Sequence, residues 1–133
     1  MEKIVVYWSG TGNTAEIANK IASDLGCEAY SVSDISADDV LKKDLIIFGC
    51  PAMGAEELEE DEFRPFYESV MAGIGNKKVA LFGSYGWGDG EWMRNWEEDV
   101  KSNGANLLSS LIVNGDSSAI DELEYATFIN SLK

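Results

Sequence analysis

Six consecutive residues near the start of the chain have side chains suited to holding an anion. They are Ser9-Gly10-Thr11-Gly12-Asn13-Thr14. An apolar, β-branched run at 4–8 precedes them and predicts a buried strand, and the apolar spacing of 14–25 predicts a helix. A strand, a glycine turn and a helix start bring free backbone N–H groups and the positive end of the helix dipole to one point. This segment, loop 1 (residues 9–14), therefore predicts an anion site that contains no cationic side chain.

The rest of the chain alternates between strand and helix patterns. We predict strands at 4–8, 28–32, 45–48, 79–82 and 107–113, and helices at 14–25, 38–41, 63–71, 91–102 and 119–132. Asp61 or Glu62 is expected to start the third helix, and Asp89 or Gly90 the fourth. Strands separated by helices indicate an α/β fold with a parallel sheet covered on both faces.

Two further loops should meet loop 1, because ligands of such folds lie beyond the carboxyl ends of the strands. Loop 2 (residues 49–56) presents Met53 and Gly54. Loop 3 (residues 83–90) presents Tyr85 and Trp87 among four glycines. These two rings either face a ligand or fold back onto the core.

Composition limits the class of protein. The 133 residues suit one domain, 1–133, and no apolar stretch approaches the roughly 20 residues of a membrane span. No signal-peptide pattern precedes the first strand, so we expect a cytoplasmic protein. Cys27 and Cys50 are not expected to form a disulfide there. Two cysteines without a histidine cannot ligate an iron–sulfur cluster or a closed zinc site, so electron chemistry would need an organic cofactor and we assign no metal.

The net charge of −14 is the second large signal. It excludes nucleic acid as a partner, since phosphate backbones are bound by Lys and Arg. Six acids stand between residues 56 and 62, interrupted only by Leu58. They form either a solvated face or a docking surface that attracts a basic protein partner.

Several anion-binding families can be compared with loop 1. Gly10, Gly12 and Ala15, with Asp34 downstream, satisfy a loose dinucleotide fingerprint. The hydroxyl-rich loop instead favours a terminal phosphate monoester, which has more oxygens to satisfy. The P-loop lysine is absent, Glu56 stands where a Cys-x₅-Arg phosphatase loop needs arginine, and the acidic residues of a receiver domain are missing.

The three loops together resemble the FMN-binding loops of flavodoxins, most of all the short-chain clostridial type. The resemblance rests on loop 1, on Cys50-Pro51-Ala52-Met53-Gly54 with Glu56, and on Gly83-Ser84-Tyr85-Gly86-Trp87-Gly88. It implies a three-layer, doubly wound, five-stranded parallel sheet of order 2-1-3-4-5. It also implies one non-covalent FMN that shuttles between semiquinone and hydroquinone in low-potential one-electron transfer.

The resemblance implies a set of cofactor-binding residues. They are Ser9, Gly10, Thr11, Gly12, Asn13, Thr14, Pro51, Ala52, Met53, Gly54, Ala55, Glu56, Ser84, Tyr85, Gly86, Trp87, Gly88 and Asn114, with Gly115 as the alternative to Asn114.

Roles follow from the same resemblance. Loop 1 would hold the FMN phosphate with Ser84 nearby, Met53 and Trp87 would sandwich the ring, and Glu56 would accept a hydrogen bond from flavin N3–H. Ala55 departs from the polar residue that often follows Gly54 in relatives. Gly54 would let its peptide turn toward the ring, because glycine tolerates positive φ.

The predicted function is therefore electron carrier, not enzyme. Its expected partners are basic-faced redox proteins, among them oxidoreductases that use ferredoxin or flavodoxin, and the protein is expected to be a monomer that binds no membrane. One alternative is an FMN-dependent NAD(P)H:quinone-type reductase on the same fold. Another is a nucleotide-binding regulatory module without redox chemistry.

Overall fold

One parallel sheet forms the centre of the computed structural model, which describes residues 1–10, 12–54, 56–86 and 88–133. Its strand order, β2-β1-β3-β4-β5, confirms the predicted 2-1-3-4-5 topology. The strands are β1 (Lys3–Tyr7), β2 (Glu28–Ser31), β3 (Leu45–Gly49), β4 (Lys78–Tyr85) and β5 (Asn106–Asn114).

The strand patterns agree with their places in the sheet. All five residues of β3 are buried, as its continuous apolar run predicts for a central parallel strand. β4 continues three residues beyond its predicted end at Phe82, because Ser84 and Tyr85 pair with Val113 and Asn114 of β5. This extension carries β4 directly into the region of loop 3.

Five α-helices connect or follow the strands within the described residues. They are α1 (Asn13–Leu25), α2 (Ala37–Val40), α3 (Phe63–Met71), α4 (Glu91–Ser102) and α5 (Glu122–Leu132). The predicted start of the last helix at residue 119 is wrong. Residues Ser117–Ala119 form a 3₁₀ turn, and the Asp121 carboxylate caps α5 by accepting from Glu124 N at 2.9 Å.

Two hydrophobic cores cover the two faces of the sheet and produce three layers. One core packs α1 and α5 against the sheet, with Ile17, Ile21 and Phe128 buried. The other packs α3 and α4, where the Phe63 ring meets the Trp96 ring edge-on at 5.5 Å. This packing fixes the amino-terminal ends of α3 and α4 beside loops 2 and 3. None of the described helices combines the length and apolarity needed to cross a bilayer.

Candidate functional site

The carboxyl ends of the strands bring the three loops together, as predicted. Tyr7 pairs with Gly49, and Gly49 pairs with Phe82, so β1 and β3 end side by side next to β4, which continues to Tyr85. Backbone hydrogen bonds continue past the strands, from Trp8 N to Gly49 O at 3.0 Å and from Ala52 N to Ser84 O at 3.0 Å. The loops therefore leave the sheet at one edge, at the point where the strand order reverses.

Loop 1 offers several hydrogen-bond donors, some of which have no acceptor among the described residues. The Ser9 hydroxyl accepts from Gly12 N at 3.1 Å and from Ala15 N at 3.3 Å, which folds the loop onto the start of α1. Gly12 precedes the helix with a φ of +98°, and the N–H groups of Asn13 and Thr14 have no acceptor among the described residues. Such free amides at a helix start bind anions.

Two hydroxyl groups add to this cradle. Thr14 Oγ1 and Ser84 Oγ lie 3.1 Å apart and both side chains are buried, so loop 1 and β4 meet at this contact. Gly10 lies over the ring of Trp8, where a Cβ would come within 3.0 Å of the indole. The small residue thus lets loop 1 fold closely over Trp8. Thr11 is outside the described residues, and its predicted role stays a prediction.

Loop 2 closes into a tight turn. Met53 and Glu57 exchange two backbone hydrogen bonds of 2.8 Å, and Gly54 follows Met53 with a φ of +52°. Met53 is 37% exposed, and the preceding Pro51 and Ala52 are half-buried. An exposed thioether on a closed loop is available to pack on a ligand. Ala55 lies outside the described part of the chain.

Glu56 is the most unusual residue of the site. It has a positive φ of +57°, and its side chain is only 9% exposed. Its Oε1 accepts from Asp89 N at 2.8 Å, while its Oε2 is buried without a partner among the described residues. A buried carboxylate oxygen needs a donor. The N3–H of a flavin would supply one, so this orphaned atom fits the cofactor that the resemblance implies.

Loop 3 is shaped around that carboxylate. Gly88 has a φ of +89°, and a Cβ there would overlap Glu56 Oε1. Gly86, by contrast, has open space where a Cβ would stand. Of these two glycines, therefore, Gly88 alone cannot carry a side chain without displacing Glu56. Trp87 lies between the two, outside the described residues, so its predicted stacking on the ring stays a prediction.

The last two predicted site residues lie at the ends of β4 and β5. The Tyr85 ring packs on Trp92 with centroids 5.4 Å apart, as the alternative of a ring folded onto the core predicts. Asn114 pairs with Tyr85 and is exposed, and Gly115 follows it. Asn114 thus stands at the same sheet edge, and its contact with the ring stays a prediction.

The acidic run between residues 56 and 62 is not a uniform solvated face. Glu56 and Glu59 are buried, and the exposed members are Glu57, Glu60, Asp61 and Glu62. The carboxylates of the exposed Asp89 and Glu91 and that of Glu56 approach within 4.8 Å of one another, and Arg94 Nη2 pairs with Asp89 Oδ1 at 3.2 Å.

Sequence reasoning missed the role of Glu59. Its side chain is 7% exposed and accepts from the backbone N–H groups of Asp61 at 2.8 Å, Glu62 at 2.8 Å and Phe63 at 2.7 Å. Burial alone would raise the pKa of this carboxyl, but the three hydrogen bonds outweigh burial and hold its pKa below the ordinary value. The available signal was an acid four residues before a helix start, where a side chain can reach the free amides.

The comparison with known proteins decides the family. The flavodoxin family model matches residues 5–127. The chain belongs to the flavodoxin family. The curated flavodoxin of Megasphaera elsdenii is 47% identical over 115 residues, covering 83% of this chain and 84% of that protein. The flavodoxin of Clostridium beijerinckii is 47% identical over 114 residues, covering 82% of this chain and 83% of that protein.

A solved structure agrees with these relatives. The solution structure of two-electron reduced Megasphaera elsdenii flavodoxin superposes with a TM-score of 0.88 at 40% identity, covering 98% of this chain and 99% of that one. Membership in the flavodoxin family confirms the predicted function class: the chain is an FMN-binding electron carrier rather than an enzyme. Neither of the two curated relatives carries the name of a reductase, so that alternative gains no support.

Proposed function

We propose that this flavodoxin-family protein transfers single electrons at low potential, with FMN held across loops 1, 2 and 3. The observation that carries the proposal is the buried Glu56 Oε2, which has no partner among the described residues and lies at the same sheet edge as the donor-rich loop 1. One FMN molecule carries both a phosphate monoester and a ring N–H. The phosphate would accept from the free donors of loop 1, and the ring N–H would donate to Glu56 Oε2.

The residues divide by the part of FMN they would hold. The phosphate would take hydrogen bonds from the hydroxyls of Ser9, Thr14 and Ser84 and from the free amides that begin α1. The ring would donate to Glu56 and pack on Met53. FMN, when bound, supplies the capacity to accept and release electrons one at a time, while the protein sets how readily it does so.

Charge is the means by which the protein would keep the potential low. The net charge is −14, and the described residues around loops 2 and 3 include the exposed acids Glu57, Glu60 and Glu91, besides Asp89, which is paired with Arg94. Each exposed acid opposes an added electron by a few tenths of a kcal/mol, roughly, at high effective dielectric and ordinary salt, and several acids add. Holding the phosphate with neutral donors avoids a cation that would cancel this effect.

The same charge would recruit the partner. Lysines lie at the opposite end of the sheet, where Lys3 begins β1 and Lys78 begins β4. The molecule is therefore more negative at the edge of the sheet where the loops lie than at the end where these lysines lie. A redox partner with a basic face would be steered to the loop edge, where the electron leaves.

Raising the ionic strength should slow electron transfer to such a partner. The attraction between exposed charges is screened over about 8 Å at physiological salt and about 3 Å at 1 M. We expect the second-order rate constant, measured by stopped flow with a basic-faced oxidoreductase, to fall at least tenfold between 10 mM and 500 mM salt. Electrostatic steering raises association rates by roughly 10- to 1,000-fold, and high salt removes this gain. A rate constant that does not depend on salt would remove the docking role of the acids.

The phosphate site is tested by comparing FMN with riboflavin. Thr14→Val removes a buried hydroxyl but keeps the shape of the side chain. Because a hydrogen bond to a charged group contributes about 1.5–3 kcal/mol, FMN affinity should fall about 10- to 150-fold, while riboflavin affinity stays unchanged. Thr127→Val in α5, far from the loops in sequence and exposed, is the control. Equal losses for FMN and riboflavin would place the phosphate elsewhere.

Three further parts of the proposal concern the molecule as a whole. We propose that residues 1–133 form a single domain, that the protein acts as a monomer and that it works in the cytoplasm. The single sheet with a core on each face supports one domain. The free thiols of Cys27 and Cys50 support a reducing compartment.

A further inference from the structure

A buried carboxylate stands at the base of loop 2 and is not among the groups expected to touch FMN. Glu59 directs both of its oxygens to backbone N–H groups: Oε2 accepts from Asp61, and Oε1 accepts from Glu62 and Phe63. Hydrogen bonds to an ionised acceptor are roughly twice as strong as neutral ones. Glu59 therefore fixes the turn of chain that leads from loop 2 into α3.

The backbone of Glu59 also ties the two arms of loop 2 together. Its N–H donates to the Cys50 sulfur at 3.5 Å, and the Met53–Glu57 pair closes the loop nearer its tip. Burial raises the pKa of the Cys50 thiol to about 12, so this sulfur stays protonated and neutral. The tip of loop 2, which carries Gly54 and Glu56, is thus held by two contacts between the arms of the loop.

A second connection runs from the same turn to loop 1. Trp8 Nε1 donates to Glu62 Oε1 at 3.2 Å, and the Trp8 ring lies beneath Gly10. Glu62 is itself oriented through its N–H by the Glu59 carboxylate. A continuous chain of contacts therefore joins Glu59 to the ring side of the site through loop 2 and to the phosphate side through Trp8.

We propose that Glu59 is a positioning residue for FMN, which holds loops 1 and 2 in register and places a buried negative charge at the base of loop 2. This inference rests on the proposed function. Because the charge is shielded from water, it opposes the reduced, anionic cofactor more strongly than an exposed acid at a similar distance. Glu59 would then act on both the affinity for FMN and the balance between its oxidised and reduced forms.

Glu59→Gln with Glu60→Gln as its control tests this. Both changes remove one charge from the same segment, but Glu60 is exposed and accepts no hydrogen bond from a described residue. In Glu59→Gln an amide NH₂ must face a backbone N–H, so at least one hydrogen bond is lost. We expect the dissociation constant for oxidised FMN to rise at least tenfold in Glu59→Gln and less than twofold in Glu60→Gln.

A second measurement separates positioning from simple stabilisation. Loss of stability alone would weaken oxidised and reduced FMN equally. The proposal instead predicts that the ratio of the two affinities moves at least fivefold toward the reduced form in Glu59→Gln, read from the sum of the two one-electron midpoint potentials, and less than twofold in Glu60→Gln. If Glu59→Gln does not fold, Glu59→Asp keeps the charge but shortens the reach. Its FMN affinity should fall at least fivefold while the affinity ratio stays within twofold of the wild type.

The outcomes are distinguishable from those that test the function. If the wild type binds FMN and the Glu59 variants behave like the Glu60 control, the positioning role is wrong and the function stands. If the wild type takes up no FMN, the proposed function is wrong and this inference fails with it. Amide hydrogen exchange of Asp61, Glu62 and Phe63 in the apoprotein adds a test without cofactor, since protection there should drop in Glu59→Gln alone. Unchanged protection would overturn the network itself.

Discussion

Gly88→Ala is expected to weaken FMN binding by about 100-fold, roughly the effect of 3 kcal/mol. The new Cβ would overlap Glu56 Oε1, so the carboxylate has to leave its place. It would lose the hydrogen bond from Asp89 N and the one we propose from the flavin ring. The bond to Asp89 is lost with or without FMN, so the bond to the ring decides the affinity. A hydrogen bond to a charged group contributes about 1.5–3 kcal/mol, which accounts for the effect. Quenching of FMN fluorescence on titration with apoprotein gives the dissociation constant.

Gly90→Ala is a matched control for backbone strain. Gly90 has the same φ of +89°, but the nearest atom to a Cβ there is Ile112 Cδ1 at 3.3 Å. Both variants suffer the penalty of a left-handed alanine, about 1–2 kcal/mol, and only Gly88→Ala displaces Glu56. Equal FMN affinities for the two variants would contradict the assigned role of Glu56. Adding Gly88→Ala to Glu56→Ala should cause no further loss beyond strain, since the group it displaces is already gone.

Gly83→Ala is expected to destabilise the apoprotein by about 3 kcal/mol or more and to disrupt the site with it. A Cβ at residue 83 would overlap the backbone carbonyl oxygen of Cys50 and come within 3.0 Å of the Trp92 ring. The Cys50 backbone cannot move freely, because hydrogen bonds join Cys50 N to Phe82 O at 3.1 Å and Ala52 N to Ser84 O at 3.0 Å. Trp92 is held to the same segment, since its Nε1 donates to Cys50 O at 3.3 Å. Chemical denaturation followed by circular dichroism measures the loss in free energy of unfolding.

The control for this change is Gly86→Ala, measured for stability alone. Its Cβ would meet nothing within 4 Å, so the midpoint of denaturation should stay close to that of the wild type. A Gly83→Ala variant as stable as Gly86→Ala would show that β4 and the start of loop 2 are not in close backbone contact.

Much of the fold follows from local patterns that agree with the sheet. The run at 45–48 is apolar throughout, and a strand covered on both faces needs that pattern, so β3 was predictable. The start of the last helix was not. The prediction began this helix at Ala119, but the Asp116 and Asp121 carboxylates accept from nearby amides and separate a 3₁₀ turn from α5. Such local competition depends on side-chain geometry that spacing does not contain.

The candidate site also contains residues that the sequence predicts and residues that it does not. The left-handed backbone of Gly54, with a φ of +52°, was predictable because a peptide that turns toward a ligand needs a glycine. Glu59 was not, because an acidic run predicts exposure for all its members. Burial of Glu59 requires the amides of residues 61–63 to converge on one carboxylate, which only the folded turn before α3 brings about. The apolar pattern at 4–8 does not reveal the contact of Trp8 with Glu62, because it joins residues 54 positions apart in the chain.

Reductive titration of the FMN-loaded protein under anaerobic conditions tests the central claim most directly. Potentials are measured against reference dyes while the flavin spectrum is recorded. Because the acidic loop edge and the buried carboxylates oppose the last negative charge, we predict two separate one-electron midpoint potentials, with the second well below that of free FMN. Addition of NADPH or NADH alone should leave the flavin oxidised. Uptake of both electrons at a single potential, together with rapid oxidation of NAD(P)H, would contradict the account.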